Sequence, residues 1–195
     1  MKNLIVFVLM FITSLSIFSQ DKPGGLPVNA EAPDFNAKNQ TGEVINLKSQ
    51  LEKNSVVLVF YRGEWCPFCN KELKALEDSL KYITDKGAIV LAISPEDPVN
   101  ISKTIDKTKA SYSILHDEGL NIMNSYKVSF KVDSNTVVNY KKFGIDFDKA
   151  NGKLNGARLP IPAVYIINKK GIITYRFFDE DYRNRPSIKE LLDNL

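Results

Sequence analysis

Residues 57–73 read VLVFYRGEWCPFCNKEL, and the fold turns on how this stretch divides. Val56 to Phe60 is a continuous apolar run, the pattern of a strand covered on both faces in a parallel sheet. After a short turn, Trp65-Cys66-Pro67-Phe68-Cys69 opens a helix with proline at its first position. Leu73, Leu76, Leu80 and Ile83 recur on one helical stripe, so the spacing predicts one helix from Pro67 until Gly87 stops it. Ala88 to Ile93 (AIVLAI) is a second buried strand, completing a β-α-β unit whose crossover is right-handed.

Cys66 and Cys69 are the only two cysteines of the chain. A thiol in the first turn of a helix sits beside unpaired N–H groups and the positive end of the helix dipole, which stabilises its thiolate. A second thiol three residues on shares that face, close enough to form and reopen a disulfide without moving the fold. Zinc is disfavoured, because such sites want four ligands and His116 is the single histidine; no metal or cofactor is expected, and His116 is read as structural. A purely structural disulfide is weakly motivated, since closing so short a loop contributes about 2 kcal/mol or less. Two inert buried thiols are the third alternative. A two-electron redox pair of Cys66 and Cys69 outweighs all three.

With 195 residues and 44% hydrophobic content, the chain has material for one sizeable core. Its net charge of +3 is spread without a basic stripe, so no nucleic-acid partner is implied. Residues 1–20 read as a signal peptide: Lys2 is the basic end, Leu4 to Phe18 the apolar segment, and Ser14, Ser16 or Ser19 small residues flanking cleavage. The apolar segment falls short of the ~20 residues that span a bilayer, so no stable membrane association is expected once it is removed. The expected location is an exported, oxidising compartment such as a periplasm. Residues 21–31 (DKPGGLPVNAE) read as a flexible arm, and residues 32–195 as the folded domain.

The second half is less regular. Val99 to Lys109 is expected as a helix, Tyr112 to Leu115 as a short strand and Leu120 to Tyr126 as a short helix. Between Lys127 and Leu159 one helix near Thr136 to Phe143 is the single element expected. Ala163 to Ile167 and Ile172 to Phe178 flank the turn Asn168-Lys169-Lys170-Gly171 and make an antiparallel hairpin. Ser187 with Glu190 resembles a capping box before a helix whose Ile188, Leu191, Leu192 and Leu195 face the sheet. This order matches an α/β domain of thioredoxin type: a central mixed sheet flanked by helices, with an inserted strand and helix, and Cys66 at one sheet edge.

Ala32-Pro33-Asp34-Phe35, Thr41-Gly42, the stretch from Val56 to Leu73 and AVYIINKKG at 163–171 resemble the alkyl hydroperoxide reductase and thiol-specific antioxidant branch of the peroxiredoxins, over roughly Ala32 to Phe178. Trp65-Cys66-Pro67-Phe68-Cys69, Phe143-Gly144-Ile145-Asp146, Leu159 to Ala163 and Asp181-Tyr182-Arg183 are similar to a peroxiredoxin-like subgroup with a thioredoxin-style cysteine pair. The resemblance implies a thiol peroxidase in which a thiolate attacks the O–O bond, becomes a sulfenic acid and condenses with the second cysteine. A thioredoxin-like reductant then reopens the disulfide. Aligned on FYRGEWCPFC, the family's peroxidatic cysteine falls on Cys69; the thioredoxin alignment makes Cys66 the exposed nucleophile of lower pKa and Cys69 the resolving thiol. Helix-end physics favours Cys66. Peroxiredoxins of this kind place an arginine directly before the strand that opens at Ala163, where this chain has Pro162; Arg158 and Arg62 are the candidates to supply that charge. Pro162 resembles the cis-proline of thioredoxin-fold enzymes, and Trp65 is expected to shield the disulfide. Acting on protein disulfides is the alternative function, and a non-catalytic binding domain ranks last.

Overall fold

The structure, a computed structural model, describes residues 23–195; the leader expected at 1–20 lies outside the described residues. The first half contains β1 (Asn36–Lys38), β2 (Val44–Asn46), α1 (Leu47–Leu51), β3 (Ser55–Phe60), α2 (Pro67–Asp78), α3 (Leu80–Asp85) and β4 (Ala88–Ser94). Then follow α4 (Pro98–Thr108), β5 (Ser113–His116), a 3₁₀ turn at Glu118–Leu120 and α5 (Asn121–Ser125). The chain closes with β6 (Ser129–Lys131), α6 (Ser134–Lys142), α7 (Phe147–Asn155), β7 (Arg158–Pro160), β8 (Ala163–Ile167), β9 (Ile173–Phe178) and α8 (Ile188–Asp193).

The central sheet has five strands in the order β5-β4-β3-β8-β9. β3, β4 and β5 run parallel, whereas β8 is antiparallel to β3 and β9 to β8, giving the expected mixed sheet. Alternation along β3 builds a core on each face. Val56, Leu58 and Phe60 meet Tyr126 and Tyr165 on one side; Val57, Val59 and Tyr61 meet Leu73, Ile114, Ile166 and both cysteines on the other. Burying each such aliphatic side chain contributes about 1.5–3 kcal/mol, so the middle strand anchors the turn that follows it.

The helix expected to run unbroken to Gly87 is two helices. Ser79 leaves helical geometry at φ −110°, ψ 5°, its N–H donates to Leu76 O at 3.2 Å, and α3 restarts at Leu80. The apolar stripe continues across the break because Leu73, Leu76 and Ile83 need a common core rather than a continuous backbone. The described part of the arm, residues 23–31, is seated on the sheet. Gly25 N–H donates to Lys127 O and Leu26 N–H to Tyr165 Oη, both at 3.0 Å, and Leu26 joins the core. Gly25 has φ +65°, and a Cβ there would stand 2.7 Å from Tyr165 Oη, so only glycine fits.

The segment after Lys127 holds more structure than the single expected helix. That helix is α6, and beside it stand α7 and a two-stranded antiparallel sheet of β6 and β7. Asp133 and Asp146 cap the two helices through Thr136 N–H at 2.9 Å and Asp148 N–H at 3.1 Å. Val132, Phe147 and Leu159 form a small core of their own, against which Trp65 and Tyr140 pack. No cis peptide bond occurs among the described residues, so the cis bond expected at Pro162 is corrected to trans. Ordinary trans backbone carries the hydrogen bonds here: Ile161 N–H to Val128 O at 2.8 Å and Asp179 N–H to Pro162 O at 3.3 Å. Ser187 caps α8 through Glu190 N–H at 3.1 Å, but the Glu190 carboxylate accepts from Tyr175 Oη at 2.8 Å, leaving the capping box half made.

Candidate active site

β3 ends beneath a tight turn, Tyr61 to Trp65, that delivers Cys66 to the N-cap of α2 with Pro67 as the first helical residue. The turn is tied from three sides. Cys66 N–H donates to Gly63 O at 3.0 Å, Asn70 Nδ2 to Glu64 O at 2.7 Å, and Glu64 N–H to the buried carboxylate Glu96 Oε1 at 2.8 Å. A Cβ on Gly63 would stand 2.5 Å from Trp65 Nε1 and 2.8 Å from Glu96 Oε1, so the turn closes only on glycine. The Glu64 side chain pairs with Lys107 Nζ on α4.

Cys66 and Cys69 are free thiols, brought together as expected. Cys66 Sγ takes the capping role, accepting from Cys69 N–H at 3.4 Å. Its pKa is lowered from 9.0 to about 7, first by the hydrogen bond from the Cys69 side chain, with burial opposing, and then by the Cys69 N–H, Arg62 and Arg185. Burial pushes the Cys69 thiol up, and holding a proton toward Cys66 pushes it further. The order of the two pKa values is the one expected from the helix end. The exposure is not: Cys66 is 1% and Cys69 0% exposed, so Cys66 is corrected from an open thiol to a covered one. Cys66 packs into the core on this face of the sheet, and the segment between β9 and α8 reaches the same helix end, where Tyr182 packs on Phe68 with ring centroids 5.8 Å apart and Arg185 Nη2 donates to Cys69 Sγ at 3.4 Å.

Of the other expected residues, Trp65 packs edge-on to Tyr140 at 5.3 Å and Phe147 at 5.9 Å. Arg62 is 5% exposed, donates from Nη2 to Tyr140 Oη, and lies over the rings of Trp65 at 4.9 Å and Tyr182 at 4.2 Å. It lines, with Pro162, Tyr140 and Tyr182, a groove of 420 Å³ that neither cysteine lines. Arg158 is not brought to the sulfurs; it sits on β7, and its Nη1 donates to Ser129 Oγ at 3.4 Å. His116 Nδ1 contacts Glu96 O at 2.5 Å, consistent with its structural reading.

Sequence reasoning missed Arg185 and Glu72. Arg185 Nε pairs with Glu72 Oε2 in a buried ion pair, and burial above all raises the Glu72 carboxyl from 4.5 to about 7, against the lowering effect of Arg185. The available signal was the i, i+3 spacing of Cys69 and Glu72, which puts a carboxylate on the buried face of α2. Glu96, pushed from 4.5 to about 8 by burial, was also missed, lying in the loop after β4.

Residues 28–176 match the AhpC/TSA family. The chain belongs to the AhpC/TSA family. Among curated relatives it is 28% identical over 160 residues to the chloroplastic peroxiredoxin Q of Triticum aestivum, covering 82% of this chain and 62% of that protein. It is 31% identical over 114 residues to the peroxiredoxin Q of Gentiana triflora, covering 58% of this chain and 50% of the relative. The match thus spans less than two thirds of the length of these relatives. Among solved structures, a peroxidoxin of Mycobacterium tuberculosis superposes with a TM-score of 0.66 at 17% identity, over 86% of this chain and 94% of that one. That likeness identifies the fold as the thioredoxin-like peroxiredoxin fold.

Proposed function

We propose that this AhpC/TSA chain is an oxidoreductase, a thiol-dependent peroxidase that reduces hydrogen peroxide or organic hydroperoxides through Cys66 and Cys69. The observation that carries the reading is the Cys66 sulfur at the N-cap of α2, hydrogen-bonded by Cys69 and held near neutrality as a thiolate. The Cys66 thiolate attacks the distal peroxide oxygen: an S–O bond forms, the O–O bond breaks, and the leaving alkoxide or hydroxide takes up a proton. Cys69 then displaces hydroxide from the sulfenic acid, forming the disulfide and water. A thioredoxin-like dithiol supplies two electrons to reopen it. Arg62, buried against Trp65, contributes positive charge that favours the thiolate.

The test is stopped-flow peroxide consumption by the reduced full chain beside Cys66→Ser and Cys69→Ser variants. Cys69→Ser should still form a dimedone-reactive sulfenic acid and Cys66→Ser should not; a reversed result transfers the peroxidatic role to Cys69. Catalysis of insulin disulfide reduction without peroxide consumption would favour the second reading, a thiol-disulfide oxidoreductase. What speaks for that reading is the apolar-walled groove at Arg62, Pro162 and Tyr182, into which an extended polypeptide segment could lie. We further place the protein in an exported compartment on the strength of residues 1–20, with residues 32–195 as the working domain. Recovery of a shortened chain from the exported fraction is the expected result, and a full-length cytoplasmic chain would refute it.

A further inference from the structure

Glu96 is fully buried, and the peroxide chemistry described above leaves it unused. Its Oε1 accepts the N–H of Glu64 at 2.8 Å, inside the turn that delivers Cys66, and its Oε2 lies 3.4 Å from Thr104 Oγ1 on α4. The same hydroxyl is 3.4 Å from Asn100 O. A hydroxyl both donates and accepts, so Thr104 suits either form of the acid. It donates to an ionised Glu96, or accepts from a protonated one and turns its own hydrogen to Asn100 O. The site can therefore hold a proton or lose it with no change beyond one hydroxyl rotation. Lys107, the cation at this turn, pairs with Glu64 instead.

We propose that Glu96 is the proton store of the redox pair: it keeps a proton while the sulfurs carry a thiolate and gives it up when they join as a disulfide. The proposal deepens the redox reading of Cys66 and Cys69 and rests on it. The reduced pair carries one negative charge on two hydrogen-bonded sulfurs, and a disulfide carries none. Closing it removes a like charge from a buried cluster, so the carboxyl becomes the stronger acid. The other titratable or charged groups around Glu96 are Tyr61 and Glu64 after β3, Cys69 on α2, Lys107 on α4, and His116 on β5, whose Nδ1 contacts Glu96 O. Burial first, then the like charges of Glu64 and Cys69, holds the Glu96 carboxyl up at about 8 in the reduced chain, against the Glu64 N–H. With a hydroperoxide as oxidant, the S–O bond forms as O–O breaks, and S–S then replaces S–O. The alkoxide and the hydroxide that leave need two protons. Cys69 supplies one and Glu96 the other, so none is drawn from solution.

The deciding experiment equilibrates the full chain with dithiothreitol, without peroxide, and reads the reduced fraction by thiol alkylation. The pH is stepped from about 7 to about 8, the span between the Cys66 and Glu96 midpoints. A dithiol reductant gives up two protons, and the equilibrium is level with pH only where the protein takes both, one on Cys69 and one on Glu96. The constant for the parent should therefore stay within about twofold over that span. Glu96→Gln keeps the shape and still accepts from Glu64 N–H, but takes no proton, so its constant should rise about fivefold. A merely structural Glu96 gives parallel profiles, and parallel profiles overturn the proposal. Should Glu96→Gln fail to fold, the parent decides alone: a fivefold rise in the unchanged chain overturns it. His116→Asn should leave the profile level, and a rise brought by that substitution alone would move the store to His116 and overturn the assignment. The two readings fail separately. Parallel profiles in a chain that still pairs its cysteines sink the proton store, whereas a level parent and a rising variant in a chain that consumes no peroxide refute the peroxidase alone.

Discussion

Replacing Cys69 by alanine should take away the largest influence that keeps Cys66 ionised. The Cys66 thiol lies at about 7 instead of 9.0, a hundredfold change in ionisation constant equivalent to about 2.7 kcal/mol. The hydrogen bond from the Cys69 side chain is the leading cause, and a bond to a charged acceptor is worth about 1.5–3 kcal/mol, or roughly one to two pH units. In Cys69→Ala the midpoint should therefore rise to about 8–9, and the thiolate fraction at neutral pH should fall from about one half to a tenth or less. Cys69→Ser keeps a hydroxyl donor and the same N–H, so its midpoint should stay near that of the parent. Each variant holds a single thiol, and thiolate absorbance against pH reads it directly. The sign follows from the depressed pKa: above the midpoint the peroxide reaction is level, and below it the rate falls about tenfold per pH unit as the thiol takes up its proton. An alanine variant still titrating at the parent value, or a serine variant displaced as far as alanine, would refute the reasoning.

Glu96→Gln should change how stability depends on pH. Burial raises Glu96 from 4.5 to about 8, so its contribution is full below the unfolded value and is lost as pH rises through the folded one. Urea titrations of the reduced chain should show stability declining between those limits, and a flatter profile with Glu96→Gln, which still accepts from Glu64 N–H; parallel profiles would count against it. Tyr182→Ala should uncover the thiols, because it removes the ring pair with Phe68 and the stacking of Arg62. These contacts are worth about 0.5–1.5 and 0.5–2 kcal/mol, so maleimide labelling of Cys66 should quicken about tenfold while Tm drops by only a few degrees. Unchanged labelling would mean that another element seals the sulfurs.

The strands β3, β4 and β8 were legible because each is an apolar run long enough to be recognised without knowing its neighbours, and β9 because the turn at Asn168–Gly171 pairs it with β8. The cysteine-bearing helix start was equally plain, since proline at its first position and the stripe behind it are local signals. β6 and β7 were not, each being three residues long, whereas α6 was expected even though it has no fully buried residue to give it a face. α7 carries a non-helical Gly152 that interrupts any period. The site divides in the same way. Cys66, Cys69 and Trp65 are neighbours in sequence and were found; Arg158 was chosen for its nearness to Pro162 along the chain and points elsewhere. Arg185 stands 116 residues from Cys69 in an irregular segment, where pattern gives no hint of what it will touch. The burial of Cys66 has no local signal either, since it depends on core residues and a Tyr182–Phe68 pair brought together from distant parts of the chain.

The distance in sequence between the sulfurs and Arg185 also sets an order of assembly. Every strand of the five-stranded sheet is complete by Phe178, so a nascent polypeptide halted there would hold all five strands while lacking Tyr182, Arg185 and the core residue Leu191. The ring pair of Tyr182 with Phe68 and the hydrogen bond of Arg185 to Cys69 form only when the final stretch has emerged and folded back. Synthesis therefore passes through an interval in which the sulfur pair lacks its arginine neighbour.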